Sequence, residues 1–151
     1  MSESKGTAEL DVKSEFAAAF AEGWRIGASD PERFFDHFAA RITPDARLIQ
    51  PLAPERRGPE GLRKLFGPLF EALPDLRGDL VRWGPTEDGV IVELVLRSPS
   101  TGLAWTTLDV IELRDGQITR REAHFNPLPV VAGILRRPRV AAKLLPHLFR
   151  R

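Results

Sequence analysis

Apolar residues at the start of this chain recur at intervals of three and four. Phe16, Phe20, Trp24 and Gly27 fall on one stripe, which predicts a helix from about Asp11. Asp11 and Glu15 suit the positive end of such a helix, and residues 1–10 read as a loose leader. Asp30-Pro31-Glu32 opens a second helix, with Asp30 able to cap free amides and Pro31 losing no hydrogen bond at the first helical position. This helix presents Phe34, Phe35 and Phe38. Residues 45–50 (DARLIQ) predict a short strand that stops at Pro51. Gly58-Pro59 begins a third helix with Leu62, Leu65, Phe66, Leu69, Phe70 and Leu73 on its apolar face. Pro68 lies inside this pattern, removes a backbone donor, and should kink or split the helix.

The period then changes to two. Strands are predicted at about 78–85, 90–97, 103–114 and 117–126, joined by turns at Glu87-Asp88-Gly89, Pro99-Ser100-Thr101-Gly102 and Asp115-Gly116. Helices first and a strand meander afterwards define an α+β domain over residues 11–129, with helices covering one face of a twisted antiparallel sheet. Residues 130–151 return to helical spacing through Val140, Ala141, Leu144, Leu145, Leu148 and Phe149, with Arg136, Arg137, Arg139, Lys143 and Arg150 as cations.

Charge adds one fact to this pattern. The 151 residues hold 22 Lys+Arg and 21 Asp+Glu, but six of the bases and none of the acids lie in 130–151. A slightly acidic body therefore ends in a basic segment. Two roles are open for it: an amphipathic helix on anionic lipid, or a helix packing its apolar face on the body or a dimer mate. The absence of cysteine excludes disulfides, thiolate metal sites and a cysteine nucleophile. Three scattered histidines show no ligand spacing, and there is no Gly-rich phosphate loop and no G-x-S-x-G serine, so no metal or cofactor is expected. No apolar run is long enough to span a bilayer, and the polar start is unlike a secretory signal. A cytoplasmic protein that does not bind nucleic acid is the expectation.

Three stretches carry a family likeness: DARLIQPLAPERRGPEGLRKLF (45–66), DGVIVELVLR (88–97) and LDVIELRDGQITRREAHFNPLP (108–129). With the order helix–helix–strand–helix–four strands, they resemble the nuclear transport factor 2-like superfamily, particularly its SnoaL-like branch. The resemblance implies a cone-shaped, barrel-like α+β fold enclosing an apolar cavity, a small apolar ligand such as a cyclic or polyketide-like molecule, and a homodimer. It leaves open isomerase, cyclase, hydratase or epoxide-hydrolase chemistry, or binding alone, because fold does not fix function.

Strand parity suggests the site. On 103–113 the odd positions are Leu103, Trp105, Thr107, Asp109, Ile111 and Leu113, so Asp109 should be a lone acid on the buried face. A carboxyl stripped of water resists ionising and can act as an acid or hydrogen-bond donor; alternatively it is a structural acid paired with an arginine. On 117–126 both parities mix polar and apolar residues. The resemblance implies that the even set, including His124 and Asn126, faces inward. Asp109 and His124 are then the catalytic candidates, with His124 as base and Asp109 orienting it. Gln50 and Asn126 would orient a carbonyl, hydroxyl or water, and Thr107, Trp24, Trp83 and Trp105 would complete the substrate site. His124 and Asn126 also admit plainer roles, as a core histidine and a turn former. Against related enzymes, Gln50, Leu94 and Asn126 stand where working acids are found, so any catalysis here uses another set of groups.

Overall fold

The computed structural model describes residues 2–148, with side chains from residue 4. Helix α1 (Ser2–Gly27) starts nine residues before the expected position. Apart from Gly6, the expected leader contains nothing that breaks a helix, so the helix runs back beyond its buried stripe as an exposed extension. Helix α2 (Pro31–Ala39) is capped as its sequence predicts: the Asp30 carboxylate accepts the Arg33 amide at 3.2 Å. Strand β1 (Ile42–Ile49) and the short β2 (Arg56–Arg57) precede α3 (Gly58–Ala72). Gly58 is required at the junction, because its φ is +65° and a Cβ there would run into the Pro44 carbonyl oxygen. Helix α3 continues through Pro68 without splitting. It buries Leu62, Leu65, Phe66 and Phe70 on both sides of the proline, and that packing outweighs one missing backbone bond.

Strands β3 (Arg77–Pro85), β4 (Gly89–Ser98), β5 (Leu103–Arg114) and β6 (Gln117–His124) form the predicted meander. The six strands make one open sheet in the order β2-β1-β6-β5-β4-β3. It is mixed rather than wholly antiparallel, since β1 runs parallel to its neighbour β6. The helices cover its inner face. Trp24 lies at the centre of the aromatic core, edge-on to Phe34 at 4.9 Å and to Phe66 at 5.3 Å between centroids.

The chain then adds α4 (Pro127–Leu135), α5 (Pro138–Leu144) and a 3₁₀ turn (Leu145–His147). Val130, Ile134, Val140 and Leu144 are buried in the main core, so the basic segment packs on the body. Arg137 ties it down, donating to the Thr101 carbonyl at 2.6 Å and to the Gly133 carbonyl at 2.7 Å. Phe149 and Arg150, expected on the same helix, lie outside the described residues. No described helix is long and apolar enough to cross a membrane.

Candidate functional site

The inner face of the sheet is set by alternation along β4 and β5. Val90, Val92, Leu94, Leu96 and Ser98 point inward from β4, and Leu103, Thr107, Asp109 and Ile111 from β5. Strand β6 does not keep one parity. Leu113 pairs with Ile118 but Glu112 with Arg120, so Thr119 is an extra residue in the ladder. Before this bulge the even residue Ile118 is buried; beyond it the odd residues Arg121 and Ala123 are. The bulge therefore turns Arg121 inward opposite Ile111, and His124 outward opposite Leu108.

Asp109 is fully buried and held from two sides. Arg121 Nε donates to its Oδ2 at 2.9 Å, and Thr107 Oγ1 donates to its Oδ1 at 3.0 Å. Arg121, itself 5% exposed, also donates through Nη1 to Gln50 Oε1 at 3.2 Å and lies 5.2 Å over the Phe66 ring. Each charge thus has an opposite charge and hydrogen bonds, which a buried ion pair requires.

A cavity of about 100 Å³ adjoins this network. Gln50, Thr107 and Arg121 supply its inner polar wall, and Phe66, Leu96, Leu103, Trp105 and Phe125 its apolar walls. The loop after β1 brings Leu52 and Ala53 over it, and the C-terminal segment closes another side with Val130, Ile134 and Leu144. Lys64 and His147 line it while remaining exposed, and so mark its opening to solvent. The loop is clipped at its base by Glu55, which accepts two hydrogen bonds from Arg47, at 3.0 and 2.6 Å. That contact holds the Glu55 carboxyl below its ordinary value and raises Arg47. Leu52 adopts φ +67°, a left-handed conformation that costs a leucine on the order of 1–3 kcal/mol.

The structure brings Gln50, Trp105, Thr107 and Asp109 together, with Asp109 behind the wall rather than in it. It separates the other candidates. His124 is on the outer face, exposed and 3.9 Å from Glu122, so the proposed Asp109–His124 couple is not formed. Asn126 is a helix cap: its side chain accepts the Leu128 amide at 3.1 Å, and it does not line the cavity. Trp24 belongs to the core and borders a separate void of about 20 Å³ that shares Phe66 and Arg121. Trp83 is partly buried on an edge strand, register-paired with Val92 beyond a bulge at Val81, and borders an open depression on the outer face. Arg121 was the residue missed. Its signal was an acid, Asp109, that needed a basic partner on a neighbouring strand.

A family model described as a SnoaL-like domain matches residues 14–121, and the chain belongs to that family. The fold agrees with solved structures. A candidate SnoaL-like polyketide cyclase from Jannaschia sp. CCS1 is 24% identical, with a TM-score of 0.69 over 82% of this chain and 92% of that one. IdmH, a candidate polyketide cyclase from Streptomyces antibioticus, is 20% identical, with a TM-score of 0.64 over 80% and 96%. TerC, crystallised with polyporic acid, is 19% identical, with a TM-score of 0.64 over 80% and 96%. No curated protein matches the chain in sequence.

Proposed function

We propose that this protein binds a small, mainly apolar molecule carrying a ring and a carbonyl or enol oxygen. The observation that carries the reading is the juxtaposition of an apolar cavity with Arg121, whose position is fixed by Asp109 and Gln50. A cavity near 100 Å³ is smaller than the apolar cavity of about 150 Å³ that takes benzene, so it encloses no more than a single ring. Larger ligands would extend through the opening. Arg121 keeps donors beyond those given to Asp109 and Gln50, and a preorganised cation stabilises an enolate more than the parent ketone. Polyketide-cyclase and polyporic-acid relatives support a ring-bearing ligand of this kind.

Any proton transfer of the isomerase, cyclase or hydratase type falls in this reading to Asp109 acting through the Thr107 hydroxyl, with Arg121 stabilising the oxyanion. His124 takes no part. The homodimer implied by the family likeness would use the outer sheet face, where Val81 and Leu108 are exposed beside Ile91.

Acetophenone in deuterated buffer tests binding and chemistry together. Amide and side-chain resonance shifts should be confined to Gln50, Trp105, Thr107, Arg121 and Phe125. Deuterium uptake into the ketone methyl group should exceed the buffer rate and be lost in Asp109→Asn. Shifts centred on Thr106, Leu108 and His124 would refute the cavity; shifts at the cavity without catalysed exchange would leave binding as its function.

A further inference from the structure

The charges around the cavity are all of one sign. Arg56, Lys64, Arg121 and His147 are its titratable lining residues, and no carboxylate lines it among the described residues. Arg121 is neutralised by Asp109. Arg56 on β2 and Lys64 on α3 are not: neither has an ion-pair or side-chain hydrogen-bond partner among the described residues. Glu55, the acid beside Arg56, is engaged instead by Arg47 and lies 3.8 Å from Arg57. Two uncompensated cations from separate elements therefore stand at a cavity whose remaining walls are apolar. An arginine serving only solubility would face open solvent. Here Arg56 is partly buried, and its Cβ lies so close to Gly61 that a Cβ added there would come within 3.0 Å of it, so its stem is part of the wall.

We propose that the ligand is an amphiphilic anion: a ring or short apolar body seated inside, and a carboxylate or similar acidic group held at the opening by Arg56 and Lys64. This rests on the binding reading above and adds the ligand's charge to it. An anion gains from the pair by direct hydrogen bonding and by long-range attraction toward the opening, whereas a cationic amphiphile meets repulsion. The deep wall and the opening then do separate work. Arg121, Gln50 and Thr107 address a neutral oxygen on the body; Arg56 and Lys64 address the charged end.

The test compares 4-phenylbutyrate with 4-phenylbutan-1-ol, which share ring and chain and differ in charge. Calorimetric or resonance titrations at low salt should give about tenfold tighter binding of the carboxylate, the size of one good charge-assisted contact. Raising the salt concentration should reduce that ratio. In the Arg56→Gln/Lys64→Gln variant the ratio should fall to within about twofold. Both substitutions keep a partly aliphatic stem, and the thermal transition of the variant confirms that it folds. Equal or tighter binding of the alcohol to the natural sequence would overturn the anionic ligand and leave the cavity reading intact. Failure of both compounds and of acetophenone to shift any cavity resonance would overturn both.

Discussion

Asp109 and Arg121 show how one residue's environment dictates another's identity. A carboxylate at 0% exposure loses its hydration, and only a close cation with further hydrogen bonds makes the arrangement tolerable. The pair is therefore asymmetric under mutation. Arg121→Met strands a buried carboxylate and should destabilise the fold by about 3–5 kcal/mol, while Asp109→Leu with Arg121→Met together should cost markedly less. Urea unfolding of the three proteins measures this; a single-variant loss below about 1 kcal/mol would show that water reaches the pair. The same asymmetry explains what could be read from sequence. An acid among Leu103, Trp105 and Ile111 was visible as a buried group on β5. Its partner was hidden because Arg121 appeared in a mixed strand where neither parity was plainly apolar.

At the scale of elements, alternation located the strands well because each face of the sheet has a different solvent. It could not reveal the extra residue at Thr119, whose effect is a change of face and not of composition. Connections between elements carry their own chemistry. Asp75, just after α3, accepts from Ser98 Oγ at 2.7 Å and from Ser100 N and Oγ at 2.6 and 2.8 Å, locking the β4–β5 turn to the helix end. Desolvation opposes ionisation of Asp75, but these hydrogen bonds prevail and hold its carboxyl below its ordinary value. A lowered folded-state value means that unfolding takes up a proton. The stabilisation is thus complete above the unfolded value, about pH 4, and is lost as the pH falls through the folded one. Asp75→Asn should accordingly lower the urea midpoint at pH 6 and matter progressively less toward pH 2. A difference that stayed constant across that range would mean that the turn does not respond to the charge.

Across the whole molecule, the C-terminal segment takes one of the two roles its pattern allowed, packing its apolar face on the body. Val130, Ile134 and Leu144 are both core and cavity wall. Composition could show that the segment was amphipathic, but not which surface it would meet. The outer sheet face is the counterpart: no helix of the described residues covers it, and Val81 is 54% exposed and Leu108 39%. If two copies join there, Leu108→Glu should halve the mass measured by light scattering without altering acetophenone binding in the cavity. An unchanged mass would place any self-association elsewhere.

The bulge at Thr119 has a further consequence for how such a fold can diversify. Were the bulge ironed out with Thr119 kept and paired opposite Glu112, simple alternation would present Arg120, Glu122 and His124 to the interior in place of Arg121 and Ala123. A one-residue slip of register thus exchanges an entire row of reactive groups, leaving strand order and helices untouched. Evolution can reach a new chemistry on this scaffold by a frame change in the sheet, without having to substitute its lining residues one at a time.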